Sequence, residues 1–252
     1  MYRRATEPVV GRTISAVEAN DDWFLKGGLT AVEISDALVG QSVVGARRKG
    51  KLLVLDLSNG VRLGLRFGMT GRPIVDSVIA IEDLEYTSNN YRPEWDRFVM
   101  KFADGGDLKL QDPRRLGGVQ LDPDEDALGV DAFKATLGDL RRRVLIGDVA
   151  LKARLMDQGR LAGVGNLIAD ETLWRAGLDP ARAAGALDDG QERRLHRHLR
   201  NVLKDFLANG GSHTGRLQAS RVRGGRCPKD GAELLRREVG GRTTYSCPEH
   251  QV

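Results

Sequence analysis

The sequence predicts an α+β chain: an antiparallel β-sandwich first, a helical section next, and a short cysteine-bearing hairpin last. Three observations predict it. Residues 51–57 (KLLVLDL) and 61–67 (VRLGLRF) are apolar strand runs joined by Ser58-Asn59-Gly60, a hairpin turn signal. After the acidic stretch 121–126 (LDPDED) the apolar period changes from two to that of a helix. Two x-x pairs that each open on a cysteine, C-P-K-D at 227–230 and C-P-E-H at 247–250, close the chain.

The elements follow in order. Residues 1–20 start as a short helical piece and turn to strand, with Val9, Val10, Ile14 and Val17 apolar, and residues 31–40 read as helix. In the 61–67 run Val61, Leu63, Leu65 and Phe67 share one face, and Arg62, Gly64 and Arg66 the other. A second hairpin joins RFVMKF at 97–102 to LKLQ at 108–111 through ADGGD. Repeated hairpins of this kind make a sandwich or barrel. Further on, Leu195, Leu199, Val202, Phe206 and Leu207 mark a long amphipathic helix, capped by Asp188 or Asp189 and ended by Gly210. Boundaries fall near 128 and 213, giving domains 1–128, 129–212 and 213–252.

The 252 residues carry 39 Lys plus Arg against 35 Asp plus Glu, a net charge of +4. The excess is small, but it is segregated. RRKGK at 47–51 and RRR at 141–143 are basic runs, 190–200 holds four arginines and two histidines, and 216–226 holds four arginines and no acid. Such segregation suits a basic face for nucleic acid. No apolar run reaches membrane-spanning length and the first twenty residues have no signal core. A monomer in the bacterial cytoplasm, with no membrane partner, is the expected form.

Residues 151–180 predict two helices with a tight glycine turn. Gly163 and Gly165 flank Val164, and glycine takes positive φ at least cost. Asn166 is expected to cap the second helix, Asp170 and Glu171 lie near its positive end, and Gly177 ends it. Backbone N–H groups running into a helix start, with Lys152 nearby, make a candidate phosphate site. The plainer reading is two packed helices.

At the C-terminus sixteen residues separate Asp230 from Cys247, the spacing of a zinc ribbon or finger on a β-hairpin. Cys227, Asp230, Cys247 and His250 would be the ligands, and Zn2+ accepts sulfur, imidazole and carboxylate alike. The other reading is a tail with two free thiols; the paired spacing favours metal.

The run DQGRLAGVGNLIADE at 157–171 resembles the helix–two-turn–helix signature of the formamidopyrimidine-DNA glycosylase and endonuclease VIII family. VVGRTI at 9–14, RRKGK at 47–51, GMTG at 68–71, DPRRLGG at 112–118 and GRTTYSC at 241–247 resemble further family segments, in the family's order. The resemblance implies a β-sandwich joined to a helix–two-turn–helix domain with a zinc-finger β-hairpin, DNA lying between the domains. It implies excision of oxidised bases from duplex DNA and lyase action at the abasic site. Lys51 would sit in the active site, Met69 and Leu116 would enter the duplex, and Arg114 would face the orphaned base. Lys152, Asn166 and Arg242 would hold phosphates. Leu116 stands where many relatives have phenylalanine, which makes a wedge that stacks less.

Family members open, after loss of Met, with a P-E-L-P-E-V-E type segment whose proline amine attacks the sugar. Met1-Tyr2-Arg3-Arg4 aligns just downstream of that opening. The Pro8 nitrogen is an amide and cannot replace it. The chain as written is therefore expected to bind lesions without cutting, unless extended upstream. The alternative function is a non-catalytic, zinc-containing binder of damaged or abasic DNA.

Overall fold

The computed structural model describes residues 1–19, 21–79 and 90–252, which divide into two compact units, Met1–Glu125 and Asp126–Val252.

In the first unit α1 (Tyr2–Ala5) and β1 (Ile14–Glu18) lead to α2 (Ala31–Leu38). Then come β2 (Val43–Lys49), β3 (Leu52–Leu57), β4 (Arg62–Arg66), β5 (Arg72–Val75), β6 (Asp96–Phe102), β7 (Asp107–Gln111) and β8 (Gly118–Leu121). They make two four-stranded antiparallel sheets, ordered β1-β6-β7-β5 and β2-β3-β4-β8. Both predicted hairpins form: Leu55 pairs with Leu63 and Met100 with Leu108. Leu53, Leu55, Leu63 and Leu65 of one sheet bury with Phe98, Met100, Leu108 and Leu110 of the other in one core. Each such side chain contributes about 1.5–3 kcal/mol when fully removed from water. The period of two fails in β3, where Leu52 to Leu55 are all buried. Pro123 explains it. It covers the outer face so closely that a Cβ at Gly64 would lie 2.8 Å from its Cγ, with Leu52 beside it.

The second unit holds β9 (Val130–Asp131), α3 (Leu137–Arg143), α4 (Leu151–Met156), β10 (Leu161–Ala162), α5 (Asn166–Ala176) and α6 (Asp189–Ala208). It closes with the antiparallel hairpin β11 (Leu235–Val239) and β12 (Arg242–Ser246). Asp188 caps α6 through a capping box with Gln191. Leu195, Leu199, Val202, Leu203 and Phe206 bury, but the expected Leu207 is 40 % exposed. One residue past Phe206, it turns about 100° off the buried stripe. Residues 213–252 pack within this unit: Leu217, Leu234, Tyr245 and both cysteines share a small core with Trp174 of α5.

Candidate functional site

In the first unit two connections lie side by side: 67–71, between β4 and β5, and 112–117, between β7 and β8. At Gly68 φ is +59°, and a Cβ there would stand 2.7 Å from Leu116 Cβ, so the contact and the conformation both require glycine. Asp112, fully buried, ties the loops together. Its carboxylate accepts from the Thr70 hydroxyl, from the Arg114 N–H at 3.2 Å and from the Gly117 N–H at 2.7 Å. Arg115, at φ +57°, is held by an ion pair to Asp21. From beneath, Tyr2 stacks on Phe67 at 4.2 Å and donates to the Gly71 carbonyl at 3.1 Å. Burial, and Asp112 nearby, push the Tyr2 phenol up to about 12.

The result is a braced pair of loops whose outward side chains include Met69, Arg114 and Leu116. Met69 is 51 % and Leu116 46 % exposed, and Arg114 is exposed. Two solvated apolar side chains beside a guanidinium, on loops this firmly built, have no role in the core. Lys51 lies exposed in the turn joining β2 to β3, next to Gly50 at φ +58°. Arg47 of the same basic run is spent: it pairs with Asp56 and with Glu125.

In the second unit the four expected ligands converge. Donor atoms of Cys227, Asp230, Cys247 and His250 lie within 4.8 Å of one another. His250 Nδ1 stands 2.7 Å from Asp230 Oδ2, Cys247 Sγ 3.2 Å from the same oxygen, and Cys227 Sγ 3.7 Å from Nδ1. A tetrahedral ion with bonds of about 2.0–2.3 Å asks for donor separations of roughly this size. The surroundings orient the donors. His250 Nε2 donates to the Trp174 carbonyl at 3.2 Å, which leaves Nδ1 as the inward lone pair. Trp174 Nε1–H and the Lys229 N–H donate to Cys227 Sγ at 3.3 and 3.4 Å, as suits a thiolate. The Ala232 N–H holds the Asp230 carboxyl well below the usual carboxylate range. Burial pushes the Cys247 thiol up to about 11, a cost that a dication at the centre removes by requiring thiolate. The four residues could hold a metal ion.

The glycine turn departs from expectation in detail. Gly163 has φ +111°, but Gly165 lies at −114° and needs no special freedom. The N-cap is Gly165, and Asn166 is the first helical residue. The Asn166 amide donates to the Thr243 carbonyl at 3.2 Å, so its side chain is tied to the hairpin. Gln158 staples the turn, donating to the Val164 carbonyl and accepting from the Gly163 N–H.

Lys152 is the main correction. Its side chain is fully buried, so it cannot reach a phosphate as the sequence suggested. Nζ pairs with Asp170 at 2.6 Å and donates to Thr244 Oγ1 at 2.6 Å. Asp170, also fully buried, pairs in addition with Arg221. Glu171 accepts from the backbone N–H groups of Arg216 and Leu217 and pairs with Arg175. Neither acid lies in the first turn of α5; both hold the 216–221 segment, and Asp170 with Lys152 holds the hairpin. The hairpin turn is Gly240-Gly241, φ +59° and +70°, and a Cβ on Gly240 would meet Ala153 of α4 at 2.7 Å. Arg242, one residue on, is exposed.

Asp112, Asp170 and Glu171 are the bracing residues that the sequence did not mark as such. Their signal was faint: acids inside apolar or turn segments, with partners 42 to 51 residues away.

A β-sandwich unit with braced apolar loops, and a helical unit with a two-helix turn beside a metal-ligand hairpin, define a helix–two-turn–helix protein. The comparisons narrow the class. Residues 1–119 match the formamidopyrimidine-DNA glycosylase N-terminal domain and residues 119–217 the formamidopyrimidine-DNA glycosylase H2TH domain. The formamidopyrimidine-DNA glycosylase of a Roseiflexus species is 31 % identical, over 96 % of this chain and 93 % of its own. That of Heliobacterium modesticaldum is 32 % identical, over 96 % and 94 %. Among solved structures, Lactococcus lactis Fpg (MutM) in complex with FAPY-dG-containing DNA aligns with a TM-score of 0.81 at 25 % identity, covering 99 % of this chain and 97 % of that one. The complex of the same enzyme with THF-DNA and an inhibitor aligns at 0.82. The chain belongs to the formamidopyrimidine-DNA glycosylase family.

Proposed function

We propose that this protein is a base-excision-repair DNA glycosylase and abasic-site lyase acting on oxidised bases in duplex DNA. The observation that carries the reading is the pair of loops clamped on Asp112, presenting Met69, Arg114 and Leu116 outward in a chain of this family. An enzyme working on a base must take it out of the stack and fill the hole. Met69 is the wedge, with Leu116 against it, and Arg114 pairs with the orphaned partner base. Arg242, with the Asn166 end of α5, grips phosphates, which positions the site without reading sequence. Lys152 serves that grip only by holding the hairpin. Lys51 assists proton transfer near the lesion. Cys227, Asp230, Cys247 and His250 hold one Zn2+, which supplies the hairpin with its fold.

Two substitutions separate these roles on a duplex containing an abasic analogue. Arg242→Ala is expected to flatten the dependence of log K on log salt by about 0.9, one phosphate. Met69→Ala is expected to lose preference for the lesion over plain duplex with the salt slope unchanged. A folded Met69→Ala protein that still prefers the lesion removes the wedge assignment.

The reaction is tested by borohydride trapping on an oxidised-base duplex, with the 252-residue protein beside one carrying Pro-Glu-Leu-Pro-Glu ahead of Tyr2. The extended protein is expected to trap and cleave, and Lys51→Ala to weaken both. Robust trapping by the shorter protein would place the nucleophile elsewhere. A silent extended protein that folds and binds DNA would make this a binder.

A further inference from the structure

The basic residues at 190–200 take no part in the site just described, yet α6 arranges them. Between Glu192 and Asp205 it carries five cations and no acid. Its apolar residues, Leu195, Leu199, Val202, Leu203 and Phe206, are buried, and α6 packs on α3 and α5. Arg193, Arg197, Arg200 and Lys204 are the exposed residues of the opposite stripe, at steps of four, three and four. That is helical spacing, so the four charges stand in one row along about 16 Å.

The charges are mostly unspent. Arg193 pairs with Asp189 of its own helix at 2.7 Å. Among the described residues no acid lies within ion-pair distance of Arg197, Arg200 or Lys204. Arg141 and Arg142 of α3 and Arg175 of α5, by contrast, are each matched by acids. Self-repulsion along such a row destabilises the helix slightly and suits an anionic polymer. Beside the row, His198 and Asn201 of α6 line a cavity with Arg216, Lys229 and Asp205. Burial, and after it Arg197, Lys229, Arg175 and Arg194, hold His198 below the ordinary histidine range.

We propose that the α6 row binds the phosphate backbone of a second, lesion-free segment of duplex DNA, apart from the duplex held by the wedge loops and Arg242. One strand presents phosphates every 3.4 Å or so along its axis, about five over the length of the row. Side chains from one helix face, with no aromatic residue among them, neutralise phosphates and read no bases. Contact of this kind is salt-sensitive and short-lived, and would pass the protein from one duplex segment to another during search. The inference rests on the repair reading for the identity of the first duplex, but not for the contact itself.

The test is a ternary complex. Protein saturated with a short abasic-analogue duplex is titrated at low salt with a differently labelled plain duplex. Capture of the second duplex is expected, with a salt slope of roughly −2 to −3, the value for about three phosphates. Arg197→Glu/Arg200→Glu/Lys204→Glu is expected to abolish capture. The milder Arg197→Gln/Arg200→Gln/Lys204→Gln, which guards against misfolding, is expected to weaken it at least tenfold. In both, first-duplex affinity and bound metal should be unchanged. No capture by the unaltered protein, or capture indifferent to both triple variants, overturns the proposal. So does a triple variant whose main loss is first-duplex affinity, since the row would then belong to the first site. If lesion and plain duplexes bind the wedge site alike while capture persists, the repair reading fails and the second-segment contact stands.

Discussion

Removing zinc is expected to unfold the hairpin and end DNA binding. Freshly purified protein should contain one zinc per chain, and a strong chelator should release it with loss of ordered structure around Cys227–His250. Structural zinc contributes about 10–16 kcal/mol in finger peptides, more than a hairpin of two five-residue strands can supply for itself. The neighbouring packing gives the loss its reach. His250 and Cys227 are both bonded to Trp174, and Thr243 and Thr244 are bonded to Asn166 and Lys152. When the ligands let go, the Gly240-Gly241 turn next to Arg242 is expected to leave α4. Asp230→Ala should weaken zinc binding without abolishing it, since three ligands remain. Metal analysis finding no zinc, or a chelated protein that binds the abasic duplex as before, would refute the assignment.

Lys152→Ala is expected to cost about 3 kcal/mol of stability, because it removes one of the two cations that neutralise the buried Asp170. Asp170 would keep Arg221 but lose the cation at 2.6 Å, and Thr244 would lose its donor. An exposed phosphate-gripping lysine would behave otherwise, changing the salt slope and leaving stability within a few tenths of a kcal/mol. The directions of titration agree with a dry pair. Burial, the largest influence on each, lowers the Lys152 pKa and raises that of Asp170, while each partner pulls the other back. Lys152→Met/Asp170→Leu removes both desolvation costs of that pair but leaves the nearly buried Arg221 without its acid, so it should recover only part of the loss. Thermal or urea unfolding reads all three proteins. A Lys152→Ala protein as stable as the parent would return the residue to the surface role first expected of it.

Much of the fold is written in local pattern. The alternation at 61–67 and the Ser58-Asn59-Gly60 turn specify a hairpin whichever sheet it joins. The Asp188 capping box and the leucines of α6 specify that helix, and the x-x spacing within Cys227/Asp230 and within Cys247/His250 marks residues that could hold a metal ion, because each of these signals is local. The exposed set of Met69, Arg114 and Leu116 was marked in the sequence through family resemblance alone. Its brace was not, since Asp112 and Thr70 meet only when strands β4, β5, β7 and β8 are in place. Leu207 shows the limit from the other side: a hydrophobic letter at nearly the right period, turned to solvent by one step of 100°. Lys152 shows it most sharply. A lysine near a glycine turn in a basic chain reads as a phosphate ligand, because long-range burial leaves no mark in composition. Only the packing of α4, α5 and the hairpin encloses it, and inside that enclosure a charge is stable only opposite Asp170.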